Sequence, residues 1–253
     1  MKVLSRFLRR LPLIVNSAWL ALSDWRGCLT VNFIQKKHAT LKLSVRMRGS
    51  VNLLKPLFLT SRLCENPRLH PMKILIIADD EYFIKRLPPD CQADVLISLG
   101  DMPDALILEA AVKCQCRQIL AVKGNHDTSA PFPAPIRDLH LNTFTFNGVK
   151  FGGFNGAWRY KPRGNFLWDH DEVESLIADF PPVDVFLAHN SPRGIHDRDD
   201  EVHIGFVAFT NYLTSAKPGF FIHGHMHHEI DTVVGTTRII GVFGYRFLTL
   251  PVD

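Results

Sequence analysis

No run of 18 or more apolar residues occurs in the 253-residue chain, so nothing in it has the length of a transmembrane helix. Cysteine is scarce. Cys28, Cys64, Cys91, Cys114 and Cys116 are odd in number and form no Cys-x-x-Cys pair. That pattern argues against a disulfide framework and a thiolate zinc site, and it fits a reducing cytoplasm. Internal repeats and low-complexity tracts are also missing, so one ordinary domain with an extension is expected.

Acidic residues are nearly lacking at the start. Residues 1–71 carry 13 Lys/Arg against 2 Asp/Glu, while residues 72–253 carry 16 against 23, together giving the net +4 of the whole chain. The basic character therefore belongs to the first segment. The remainder is acidic, which argues against a stable nucleic-acid partner. Residues 1–71 read as a basic extension, poorly ordered or a leader. A secretory signal is disfavoured because Asn16 interrupts the apolar stretch and no A-x-A site follows. An organellar transit peptide, a membrane-surface arm and translation from an upstream start are the other readings. Met72, in MKILIIADD, has the form of a protein start.

Residues 72–253 alternate apolar runs with turns. Lys73–Ala78, Val95–Leu99, Ile119–Val122, Val185–Ala188 and Phe220–His223 are short and fully apolar or nearly so, as in strands covered on both faces. Pro103–Val112, Asp171–Asp179 and Gly205–Ala216 have helical spacing. Asn147-Gly148 between two short β-prone runs predicts a hairpin. Thr237–Ile240 and Phe247–Pro251 read as closing strands. An α/β architecture follows.

The chemistry lies just beyond the strands. The successive runs are followed by Asp79-Asp80-Glu81, Gly100-Asp101, Gly124-Asn125-His126-Asp127, His189-Asn190 and Gly224-His225-Met226-His227-His228. Any one of these suits a turn or a helix cap. Five together, at the carboxyl ends of strands, suit a site. Carboxylate, amide and imidazole donors without thiolate fit Mn, Fe, Zn, Ni or Mg, Mn being favoured. An extended backbone through His225-Met226-His227 would set both imidazoles on one side.

In order and spacing these motifs resemble the calcineurin-like metallophosphoesterase superfamily, over residues 72–253. The resemblance implies a four-layer αββα sandwich with two mixed sheets, and two divalent ions. One ion would be held by Asp79, Glu81, Asp101 and His227. The other would be held by Asp101, Asn125, His189 and His225, with Asp101 shared. A bridging hydroxide would attack a phosphodiester or phosphomonoester of a small molecule or nucleotide. His126 would protonate the leaving group or stabilise the charge on the phosphoryl oxygens, and Asp127 would orient His126. A catalytically silent interaction module and a nuclease are the alternatives. One departure stands out: the superfamily usually has Asp-x-His where this chain has Asp79-x-Glu81. Glu81 is then a direct ligand favouring harder ions, a ligand through water, or the mark of a decayed site.

Arg159, with Tyr160 and Lys161 beside it, and Arg193 are candidate contacts for a phosphate or another polar group of a substrate, the alternative being solvated loops. His196 and His203 read as surface residues in preference to a substrate-facing pair, His223 as a satisfied strand histidine or a supporting group, and Cys114 and Cys116 as packing residues.

Overall fold

The computed structural model describes residues 28–34, 42–48 and 71–251. The chain divides into two units, Met1–Arg68 and Leu69–Asp253. In the first, β1 (Cys28–Ile34) and β2 (Lys42–Arg48) pair antiparallel, from Cys28 opposite Arg48 to Ile34 opposite Lys42. No regular element is expected before Met72 from the sequence. The period-two alternation of Leu29, Val31 and Phe33, matched by Leu43, Val45 and Met47, is the local signal for these strands. The expected leader features within residues 1–27 lie outside the described residues.

The second unit opens on β3 (Met72–Ala78). It continues through β4 (Val95–Ser98), α1 (Asp104–Lys113) and β5 (Gln118–Ala121). These three strands are parallel, with β6 (Arg137–Asp138) beside β5. A hairpin joins β7 (Thr143–Phe146) to β8 (Val149–Phe154). Its two turn residues, Asn147 and Gly148, have φ of 48° and 84°. That left-handed pair matches the twist of the flanking strands and is why Asn-Gly marks a hairpin.

The short strands β9 (Ala157–Trp158) and β10 (Leu167–Trp168) lead to α2 (His170–Ile177). Then come β11 (Val185–Ala188), α3 (Val207–Ala216), β12 (Phe220–His223), β13 (Ile230–Val234), β14 (Thr237–Gly241) and β15 (Gly244–Leu250). Ile230–Val234 is a strand that the sequence reading did not assign.

Two mixed sheets result, in the orders β15-β3-β4-β5-β6 and β13-β14-β12-β11-β8-β7. Each places antiparallel strands at an edge of a parallel centre. Strand alternation sorts the side chains. Ile74, Ile76 and Ala78 of β3 join Val95, Ile97, Leu187, Ile222 and Ile240 in a core between the sheets. Leu75 and Ile77 point the other way, into a layer with Ile107, Ala110 and Ala111 of α1. On the opposite side, Phe186 and Phe221 pack with Val173 and Ile177 of α2 and with Phe209 and Leu213 of α3. Phe186 and Phe221 are stacked, their centroids 5.2 Å apart. Each such buried side chain contributes roughly 1.5–3 kcal/mol relative to exposure. The architecture is the expected four-layer αββα sandwich.

Cys91 and Cys114 are joined by a disulfide, with Cα atoms 4.8 Å apart. This corrects the expectation of no disulfide and of Cys114 as a mere packing residue. The two half-cystines lie 23 residues apart, a spacing with no motif to announce it. Disulfides belong mainly to oxidising compartments, so the cysteines no longer support a cytoplasmic location. Among the described residues no helix is long and apolar enough to cross a membrane.

Candidate metal centre

The parallel strands of both sheets end on one rim, and backbone hydrogen bonds stitch their ends together. Gly224 N–H donates to the His189 carbonyl at 3.0 Å, and Asp79 N–H to that of Gly100 at 3.5 Å. At this rim one oxygen from each of Asp79 and Asp101 and one nitrogen of His189 lie within 4.8 Å of one another. Asn125, His225 and His227 join them.

Asp79 follows β3 directly. Its Oδ2 accepts the His225 N–H at 2.8 Å. Its Oδ1 is buried without a hydrogen-bond partner and stands 3.9 Å from His227 Nε2. Burial raises the Asp79 carboxyl to about 7, against the pull of His189 and with a further push from Asp101.

His189 is fully buried. Its Nδ1 donates to the Leu99 carbonyl at 2.8 Å, which leaves Nε2 as the nitrogen facing the site. Nε2 lies 2.9 Å from Asn125 Oδ1 and 3.4 Å from Asp101 Oδ2. A neutral ring would aim a lone pair at two oxygens, so the arrangement calls for a proton or a cation between them. Burial alone would lower this imidazole. Asp101 and Asp79 outweigh it and carry the pKa up to about 9. Asp101 is held below the ordinary carboxylate range: burial opposes this, but His189 outweighs it.

The turns carrying these groups are conformationally costly. Asp79, Asp101, His225 and His227 have φ of 60°, 53°, 65° and 52°. Left-handed backbone at non-glycine residues costs on the order of 1–3 kcal/mol each and persists where the surroundings enforce it. It also corrects the expectation of an extended backbone through His225-Met226-His227. The chain bends at each histidine. The His225 ring is buried 4.9 Å from that of His189, whereas His227 is half-exposed. Gly124 packs so tightly that a Cβ there would lie 2.1 Å from Asp101 Oδ1.

Asp127 differs from its expected role. Its Oδ2 accepts from the N–H groups of Asp101 at 2.9 Å and Gly124 at 2.7 Å, and its Oδ1 from that of Met102 at 3.2 Å. The carboxylate fastens the backbone turns after β4 and β5 to each other rather than orienting the His126 ring. The His126 N–H donates to Asp101 Oδ1 at 2.8 Å, and the residue is exposed at the rim.

Glu81 is exposed at the start of a 3-10 helix, Glu81–Lys85, and is absent from the gathered donors. The two arginines proposed for phosphate have carboxylate partners. Arg159 contacts Asp169 and Glu172, both at 3.0 Å, bracing the capping box of α2. Arg193 contacts Asp197 at 3.2 Å. Neither is brought to the rim by any contact among the described residues.

Three groups make contacts that their sequence context does not announce. Tyr160 Oη accepts from Asn125 Nδ2 at 3.1 Å. His203, read as a surface residue, sits with its ring centroid 5.1 Å from that of His225 and 6.1 Å from that of His227. His196, also read as a surface residue, donates from Nδ1 to His223 Nε2 at 2.9 Å, and its Nε2 accepts from the Thr232 hydroxyl at 2.9 Å. His223 is the satisfied strand histidine, burial lowering it to about 3.

The donor set fits divalent ions. It combines buried carboxylates, an amide oxygen and imidazoles whose remaining nitrogens are committed to carbonyls, as at His189 and, through Val202 at 3.3 Å, at His225. The orphaned Asp79 Oδ1 is an atom that such an ion would satisfy.

No curated protein matches the chain in sequence. Among solved structures, one crystal structure shares 20% identity over 71% of this chain and 95% of its own, with a TM-score of 0.51. TT1561 of Thermus thermophilus shares 14% identity over 68% of this chain and 88% of that one, with a TM-score of 0.46. Phosphopantetheinyl hydrolase PptH from Mycobacterium tuberculosis shares 15% over 69% and 90%, with a TM-score of 0.47. At such identity the first concerns the fold alone. The sequence profile of the calcineurin-like phosphoesterases matches residues 73–229. With that match over more than half its length, the chain belongs to the calcineurin-like phosphoesterase family.

Proposed function

We propose that the protein hydrolyses a phosphoester of a small molecule or nucleotide, a diester in preference to a monoester, using two divalent ions. Asp79, Asp101, Asn125, His189, His225 and His227 would hold them, with Asp101 shared. The observation that carries this reading is the convergence of Asp79, Asp101 and His189 within 4.8 Å, with one Asp79 oxygen left unsatisfied in a buried setting. Bound there, the ions would acidify a water and offset phosphoryl charge; Mn suits the oxygen and imidazole donors.

The protein's own groups have separable tasks. Asp101 lies within 4.8 Å of both Asp79 and His189, and its two oxygens suit it to a shared position. Asp127 ties the two turns together through their backbone N–H groups, which fixes Asp101 and Asn125. His126 projects from the rim next to Asp101, where an imidazole can hydrogen-bond a substrate oxygen and protonate a leaving alkoxide. Tyr160 holds Asn125 by its amide nitrogen, so that the amide oxygen faces the site.

The test is hydrolysis of bis-p-nitrophenyl phosphate and p-nitrophenyl phosphate by the full chain, after chelation and re-addition of Mn, Mg, Zn, Fe or Ni. Turnover that needs an added ion is expected, with the diester cleaved faster. Absence of turnover with every ion would overturn the reading in favour of a silent module.

A further inference from the structure

Glu81, expected to hold the first ion with Asp79, Asp101 and His227, is exposed and apart from them. One expected donor is therefore missing on the Asp79–His227 side. A different imidazole stands close by. His203 Nδ1 lies 2.8 Å and 2.9 Å from the two oxygens of Asp200, which accept its N–H. The neutral ring then carries its lone pair on Nε2, which has no hydrogen-bond partner among the described residues. The ring packs against His225 and His227 at centroid distances of 5.1 Å and 6.1 Å. A carboxylate holding one ring nitrogen while the other is free beside further imidazoles is the usual preparation of a metal-binding histidine.

The loop bearing His203 is built to hold that position. Asp197 accepts the N–H groups of Gly194 at 3.0 Å and Gly205 at 3.3 Å, closing the loop on itself. Asp200 also accepts the N–H groups of Val202 at 2.9 Å and His203 at 2.7 Å. Arg198 donates to the Met226 carbonyl, tying the loop to the turn that carries His225 and His227. The Val202 carbonyl meets His225 Nε2 at 3.3 Å. Four imidazoles, those of His189, His225, His203 and His227, thus run side by side along the rim. Imidazole nitrogens gathered in this way suit a divalent cation.

We propose that His203, held by Asp200, is a ligand of the metal centre, completing the ion on the Asp79–His227 side in place of Glu81. This rests on the two-ion reading above.

The experiment is titration of the metal-free full chain with Mn(II), following free ion by electron paramagnetic resonance. Wild type, His203→Gln, Asp200→Asn and Glu81→Gln are compared, each also melted without metal. Wild type should bind two ions. His203→Gln should keep one and lose the other, or bind it at least about tenfold more weakly. Asp200→Asn should weaken the same ion by about 10- to 100-fold. Glu81→Gln should bind both as wild type does. The metal-free melting of Asp200→Asn should match wild type, so that its loss appears only in the increment that Mn adds. Two ions bound with unchanged affinity by His203→Gln, or by Asp200→Asn where His203→Gln does not fold, would overturn the proposal and leave the two-ion reading standing. Loss of an ion in Glu81→Gln alone would return the ligand to Glu81. A wild type that binds no ion would sink both readings.

Discussion

The Nε2 of His189 points at the Asp101 carboxylate from 3.4 Å, while its Nδ1 is committed to the Leu99 carbonyl. The pair links the two sheets, since Asp101 follows β4 of one and His189 follows β11 of the other. Two donors that face each other across the layers, with burial on both sides, leave a cation as the natural occupant between them.

Asp101→Asn tests that pair against His126. Asparagine keeps the shape but removes the charge and one acceptor. Turnover is expected to fall by about a hundredfold to a thousandfold together with the metal content. His126→Ala should also lose turnover, by about a hundredfold or more, but should retain its metal. Metal analysis beside initial rates distinguishes the two, and parallel metal loss in both variants would count against a substrate-facing His126.

Gly124→Ala addresses the closeness of the turns. The added Cβ would lie 2.1 Å from Asp101 Oδ1 and 2.6 Å from His189 Cε1. Asp101 or the turn must move. Loss of metal binding is expected, with a fold that circular dichroism still reports as native. Full metal occupancy would mean that the turn yields more easily than its packing suggests.

His140 makes acid stability measurable away from the metal ligands. Its Nδ1 accepts the Asn155 N–H at 3.1 Å, and Asn155 Oδ1 in turn accepts the Lys123 N–H at 2.8 Å, next to Gly124. Burial against Phe154 and Trp168 lowers the His140 pKa below its ordinary 6.5, with Asp138 opposing. A histidine depressed in the folded state takes up its proton more readily when unfolded. Its contribution is therefore present above about pH 6.5 and is lost as pH falls below that toward the folded value. Denaturant melts of wild type and His140→Gln from pH 8 to pH 5 should show a shallower fall for the variant. Equal slopes would remove His140 from the account.

The Cys91–Cys114 bridge closes a loop between residues 23 apart. By loop-closure entropy a link of this size stabilises by about 3 kcal/mol. Cys91→Ser should lower the denaturation midpoint under non-reducing conditions and abolish the midpoint difference between oxidised and reduced samples. Peptide mapping without reduction should recover the two half-cystines in one linked species.

Much of the architecture was legible because its signals are local. Apolar runs of four to six residues announced β3, β11 and β12, Asn147-Gly148 announced the hairpin, and each strand end displayed its carboxylate, amide or imidazole. β13, half-exposed at a sheet edge, has no such run and was passed over. The seven-residue strands β1 and β2 have no such run either, their apolar alternation being set among basic residues.

What the chain alone determined is which chemical groups stand at the strand ends, since strand, turn and residue type are neighbours in sequence. Tertiary structure decided which of those groups meet. It moved Glu81 into solvent, brought His203 beside His225 and His227, turned Asp127 onto backbone amides and paired Cys91 with Cys114. The physical reason is that these partnerships depend on loop conformations, including left-handed backbone at Asp79, Asp101, His225 and His227. Those conformations are imposed by packing between segments as far apart as Asp79 and His225, and no local pattern of residues encodes them.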